Sequence, residues 1–192
     1  MILESLVTTA DSAGHVNIAP LGPVVDRDLT SFQLRPFVGS RTYANLRATH
    51  RAVVHVTDDC LLLARAAIGT VDPAGLVQPL AGHADCFTLR SACRWYALQI
   101  TAWQDHPQRP TAECTILAQG RNRDFFGLNR AQYAVVEAAI LATRVHLIAD
   151  EVLQSQLRQL ATLVERTGGD REQEAFALLE KYIATAPEKL RD

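Results

Sequence analysis

The chain reads as mainly β with α, a Greek-key barrel followed by a C-terminal cap of three helices. Three observations predict this. Up to about residue 118 the sequence is a succession of short alternating or β-branched runs broken by tight turns, without βαβ alternation, which suits an antiparallel barrel or sandwich. From Asn129 the apolar spacing changes to three and four, the mark of amphipathic helices. With 192 residues, 48% of them apolar, there is material for one full core and a helical extension. The expected division is 1–125 for the barrel and 126–192 for helices packed on it.

The strands can be assigned in order. Ile2–Thr9 and His15–Ala19 flank Ala10–Gly14, a glycine-bearing link that suits a hairpin. Val24–Asp26 and Leu29–Leu34 flank a second tight turn at Arg27-Asp28. Ala52–Val56 is continuous and β-branched, as in a strand buried on both faces. Ala84–Leu89, Trp95–Trp103 and Ala112–Ala118 follow, the last two separated by a polar, proline-bounded loop from Gln104 to Pro110.

The helices carry their own start and stop signals. Asn129 caps the first, with Gln132 reciprocating at N3 and Leu128 stapling onto Tyr133. Its apolar stripe is Ala131, Ala134, Val135, Ala138, Leu141 and Ala142. Asp150 starts a second helix with Leu153, Leu157, Leu160 and Val164 on one face, and Gly168-Gly169 ends it in the left-handed conformation. Asp170 with Gln173 opens a third, through Ala175, Phe176, Leu179, Tyr182 and Ile183, which Pro187 closes.

Composition narrows the partners. A net charge of −2 without a basic stripe gives no footprint for nucleic acid. No run of about 18 apolar residues exists to span a membrane. The start Met1-Ile2-Leu3-Glu4-Ser5 is no secretory signal, so residence in the cytoplasm is expected. Cys60, Cys86, Cys93 and Cys114 lack Cys-x-x-Cys spacing and read as small buried apolar residues. His83-Ala84-Asp85-Cys86 lacks a second ligand pair at a zinc spacing, so no metal is expected.

Two segments suggest a ligand. Between Arg35 and Arg51 the chain carries Arg35, Arg41, Arg47, Arg51 and His50 and no acid. Within it Gly39 permits a sharp turn, Ser40 is a natural N-cap, and Arg41 and Thr42 begin a helix with unpaired amides. A phosphate there meets amides, hydroxyls, a guanidinium fork and the positive end of the helix dipole, with Asn45 one turn on. The alternative is that Ser40 merely caps and the arginines are solvated. Asn17-Ile18-Ala19-Pro20-Leu21-Gly22 is the second segment. Ala19 and Gly22 are small enough for a flat ring to approach, and Pro20 marks a sheet edge with free backbone groups nearby. The alternative is a simple strand end. Together the two segments suggest a mononucleotide such as FMN.

In this order and spacing they resemble the FMN-binding split-barrel superfamily of flavin reductase-like proteins, which pair an Asn-x-x-Pro-type strand with a Ser/Thr-x-x-Asn phosphate turn. More closely, the chain is similar to an uncharacterised domain-of-unknown-function branch of that superfamily. The matching residues are Glu4, Val7-Thr8-Thr9, Asn17 to Gly22, Gly39-Ser40, Thr42, Asn45-Leu46, Val56-Thr57-Asp58-Asp59, Asn129-Arg130-Ala131 and Glu137. The resemblance implies a Greek-key split β-barrel, a homodimer and flavin in a groove at the subunit interface. It implies that Asn17, Ile18, Ala19, Pro20, Leu21 and Gly22 line the isoalloxazine through backbone groups, and that Ser40, Arg41, Thr42 and Asn45, with Arg35, hold the phosphate. His55 stands where relatives are expected to carry Asn. It is either a flavin contact or a buried structural residue.

The function implied is an oxidoreductase moving electrons or hydride through FMN, with a nicotinamide donor or another small substrate. The alternatives are a flavin carrier or sensor without turnover, and a structural dimeric barrel. Trp95, Tyr96 and Trp103 either stack on a ligand or fill the core. Glu113 and Glu137 are acid–base candidates without a partner by spacing.

Overall fold

Strand β1 (Ser5–Ala10) is paired on both sides, and all six of its residues are buried. On one side lies β2 (Val16–Leu21) and on the other β5 (Arg51–Val56). With β3 (Val24–Val25), β4 (Phe32–Leu34), β8 (Arg94–Gln104) and β9 (Thr111–Arg121) they form one antiparallel sheet in the order β2-β1-β5-β8-β9-β4-β3. The sheet curls because residues ahead of β1 also pair with β3. Ile2 bridges Val24, Leu3 N–H donates to Pro23 O at 3.1 Å, and Val25 N–H donates to Met1 O at 2.8 Å. The far end of the sheet thus meets the start of β1 while β2 stays an open edge. This is the Greek-key split barrel predicted from the sequence.

The computed structural model describes residues 1–186, which fall into two units. The first is Met1–Thr57 with Val71–Phe125, and the second is Asp58–Thr70 with the chain from Phe126 onward. The barrel interior is filled by Val7, Phe32, Leu34, Val54, Tyr96 and Leu98 among others, with the Phe32 and Tyr96 rings 5.0 Å apart. On the opposite face Val53, Cys86 and Ala97 pack with Leu80, Trp95 and Ala118. Helix α1 (Arg41–Thr49) leads into β5, and a small sheet of β6 (Val77–Pro79) and β7 (Phe87–Leu89) precedes β8.

Several boundaries differ from expectation. The first strand begins at Ser5, with Ile2 only bridged, and β4 starts at Phe32. The turn between β3 and β4 is longer than Arg27-Asp28. Asp26 accepts from Thr30 N–H and Ser31 N–H at 2.7 and 3.1 Å, and Leu29 takes a left-handed φ of 55°. Strand β6 carried no alternation to reveal it.

The larger difference is helix α2 (Cys60–Ile68), which lies inside the stretch expected to be barrel and clusters with the C-terminal helices. Its sequence, Cys-Leu-Leu-Leu-Ala-Arg-Ala-Ala-Ile, is rich in helix formers, and Asp59 caps it by accepting from Leu62 N–H at 3.0 Å. It packs against α3 (Arg130–Thr143) and α5 (Asp170–Thr185), and α4 (Asp150–Thr167) packs on α3 after a 3-10 turn at Val145–Leu147. Cys60 faces this core, where burial pushes its thiol up to about 12 with the Glu172 carboxylate adding to it. No helix among the described residues is long and apolar enough to cross a membrane.

The helix ends partly revise the expected caps. Asn129 does cap α3, accepting from Ala131 and Gln132 N–H at 2.8 and 3.2 Å. Gln132 does not reciprocate, because its amide donates to Glu172 Oε1 at 3.3 Å. Leu128 and Tyr133 remain 85% and 50% exposed, so no staple forms. Gly168 ends α4 at φ −86°, outside the left-handed region. The cap of α5 is Gly169 with Glu172, not Asp170 with Gln173: Glu172 Oε2 accepts Gly169 N–H at 3.0 Å. The closing role of Pro187 lies outside the described residues.

Candidate functional site: an edge strand and an open helix start

Both suggested segments belong to the barrel unit, and the fold brings them into contact. Helix α1 starts as the sequence predicts. Gly39 takes a φ of 86°, open to glycine at no steric cost, and turns the chain into Ser40. Ser40 Oγ accepts Tyr43 N–H at 3.1 Å and donates to Phe37 O at 2.7 Å, so its hydroxyl is committed to the cap. Ala44 N–H bonds Ser40 O at 3.1 Å, the first intrahelical bond, which leaves the Arg41 and Thr42 amides at the open end. Arg41 and Arg35 are exposed.

Two bonds between polar side chains help tie this helix to the first hairpin. Asn17 on β2 donates through Nδ2 to Thr42 Oγ1 at 3.1 Å, and Asn45 Nδ2 donates to Thr9 Oγ1 on β1 at 3.1 Å. Thr9 and Asn17 face each other in the β1–β2 register, so the two bonds join both strands to one helix turn. Thr9, Thr42 and Asn45 are buried, and such groups are costly unless bonded. Sequence reasoning found Asn17, Thr42 and Asn45 but gave Thr9 no role. As an acceptor from Asn17, Thr42 keeps its own hydroxyl proton for another partner.

Strand β2 is the open edge of the sheet, so its outward backbone groups face away from any ladder partner. Pro20 removes one donor there. Ile18 is buried, and Leu21 packs against the barrel core. At Gly22 an added Cβ would lie 2.7 Å from Ile2 Cγ2, so its smallness makes room for the chain's own start.

His55 belongs to the barrel unit. It is fully buried on β5, with Nδ1 donating to Leu6 O at 3.1 Å and Nε2 accepting Leu89 N–H at 3.0 Å. Both ring nitrogens are therefore used inside the barrel, and burial pushes its pKa down to about 4 against the weaker opposing pull of Leu6 O. Tyr96 fills the core, and Trp95 lies against Gly120. Glu113 accepts Gln33 Nε2 at 3.0 Å and Gln104 Nε2 at 3.0 Å, while Glu137 is exposed on α3.

A cluster missed in the sequence flanks α1. Arg47 donates to Tyr43 Oη and Asp105 Oδ1, each at 3.1 Å, and its guanidinium carbon stands 4.2 Å from the centre of the Trp103 ring. Arg109 stacks 4.3 Å from the centre of Phe37 and donates to Arg35 O at 3.3 Å. The proline-bounded loop was legible, but its docking beside the helix was not.

Solved structures resemble this architecture. An FMN-bound protein from Methanosarcina mazei, described under family model DUF447, is 26% identical and matches with a TM-score of 0.83, covering 94% of each chain. An FMN-binding protein from Thermus thermophilus is 14% identical, covering 64% of this chain and 72% of its own, with a TM-score of 0.54. Flavoredoxin from Methanosarcina acetivorans is 13% identical, covering 62% and 68%, with a TM-score of 0.53. At the latter two identities the likeness is one of fold. The family models described as protein of unknown function DUF447 match residues 3–123 (the N-terminal domain) and 129–181, and the chain belongs to that family.

Proposed function

We propose that this protein is an FMN-binding flavoprotein whose site is the α1 start and the β2 edge. The observation that carries the reading is the Asn17–Thr42 bond, which fixes a donor-rich helix start against an open strand edge. The donor set fits a phosphorylated flavin. The Arg41 and Thr42 amides, the Thr42 hydroxyl and the Arg41 guanidinium take the phosphate, with Arg35 adding charge. Asn45 and Asn17 hold that turn in place, Ser40 acts through its cap, and the backbone along Asn17–Gly22 meets the ring edge. The FMN-bound relative from Methanosarcina mazei supports the same choice of cofactor.

Bound FMN supplies electron or hydride transfer at its ring, and the chain contributes orientation, backbone bonds and exclusion of water. The reading extends to an oxidoreductase acting in the cytoplasm as a homodimer, reduced by a nicotinamide donor. The purified protein should take up FMN and show a visible flavin absorbance band. Bleaching of that band by NAD(P)H separates an enzyme from a carrier or sensor. Colourless protein that binds no FMN in titration refutes the assignment and leaves a structural barrel.

A further inference from the structure

The connection between β8 and β9 is clasped to helix α1 and to the segment that leads into it. On one side Asp105 accepts from Arg47, in the second turn of the helix, at 3.1 Å. On the other, Val38 N–H donates to Gln108 O at 2.9 Å and Arg109 Nη2 donates to Arg35 O at 3.3 Å. Inside the loop His106 Nδ1 accepts Gln108 and Arg109 N–H at 3.2 and 3.0 Å, and Pro107 and Pro110 fix two backbone angles. A loop held at this many points delivers its side chains in set positions.

The side chain it delivers is Arg109. Its guanidinium lies over Phe37, the residue whose carbonyl accepts both Ser40 N–H and Ser40 Oγ–H at the cap of α1. Asp105 is the loop's only acid and is paired to Arg47, so the loop brings positive charge to a helix end that already favours anions. Stacking uses the flat face of a guanidinium, whereas phosphate is met by its N–H edge, so the two contacts are compatible.

We propose that Arg109 is a specificity-determining residue of the flavin site, a second guanidinium at the phosphate that makes the protein prefer FMN to unphosphorylated riboflavin. The proposal rests on the α1 start being the phosphate site, and the test separates the two. Dissociation constants for FMN and riboflavin are measured by fluorescence titration for the wild type, Arg109→Ala and Arg109→Lys, at two salt concentrations. Expected is a wild type that prefers FMN, an Arg109→Ala form that binds FMN about tenfold or more weakly with riboflavin unchanged, and a smaller loss for Arg109→Lys. The salt dependence of FMN binding should also fall in Arg109→Ala.

A wild type that prefers FMN while Arg109→Ala weakens both flavins equally, or neither, overturns the role of Arg109 and leaves the phosphate site standing. A wild type indifferent between the two flavins overturns both. If Arg109→Ala does not fold, Arg109→Lys carries the test: an unchanged preference for FMN and an unchanged salt dependence sink the proposal.

Discussion

His55 makes the stability of the barrel depend on pH in a window that can be stated in advance. Its pKa falls from an ordinary 6.5 to about 4 because burial disfavours the charged ring, and Nε2 already accepts Leu89 N–H. Between those two values the unfolded chain takes up a proton that the folded chain does not. Stability contributed by the neutral ring is therefore complete above pH 6.5 and is lost as pH falls through about 4. At about 1.4 kcal/mol per unit the difference is on the order of 3 kcal/mol. His55→Asn removes the titrating group and leaves at least one of Leu6 O and Leu89 N–H poorly matched, costing about 1–3 kcal/mol at neutral pH. Both tryptophans, Trp95 and Trp103, lie in the barrel unit, so intrinsic fluorescence during urea unfolding reports on that unit alone. Unfolding midpoints are compared from pH 7 to pH 4 for the two forms. The wild type should lose stability faster on acidification than His55→Asn by about the stated amount. Parallel curves would show that His55 is not the buried neutral group described.

Other perturbations follow from named contacts. Thr42→Ala should weaken FMN binding by about 1–3 kcal/mol through loss of a buried donor, measured by titration. Ser40→Ala should mainly lower thermal stability, by about 0.5–2 kcal/mol, because its hydroxyl belongs to the helix cap. Gly120→Ala places a Cβ against Trp95 Cζ2, on a rigid ring, and should cost about 1–3 kcal/mol and alter the Trp95 emission. In the helical unit, burial tends to raise the Glu172 pKa but is outweighed by hydrogen bonds from Gly169 N–H, Gln132 and Cys60, which lower it. Its contribution is present above the ordinary carboxylate range and lost on acidification. Glu172→Gln should flatten that acid loss in the helical signal of circular dichroism.

Much of the barrel was legible because its strands alternate or are continuously β-branched, and because Gly39-Ser40 is a local turn-and-cap signal. The polar quartet was three-quarters legible, since Asn17, Thr42 and Asn45 are unusual where they stand, whereas Thr9 reads as an ordinary strand residue. Long-range placement was not legible. The roles of Arg109 and Asp105 depend on where a loop docks, and local sequence says nothing of that. Gly22 shows the same limit: its smallness accommodates Ile2, a contact that no local pattern reveals. Helix α2 was overlooked because a run of nine residues that is apolar but for Arg65 has no visible period, and its partners come only after residue 125.

That detour of the chain at Cys60–Ile68 has a practical and an evolutionary consequence. One cut near residue 125 yields a barrel fragment carrying an orphaned greasy helix and a helical fragment missing a wall. Leu61, Leu62 and Leu63, which in the intact protein are all below a tenth exposed, would then meet water or another fragment. The two modules therefore have to be expressed, swapped and inherited together, or be separated by excising α2 as a unit.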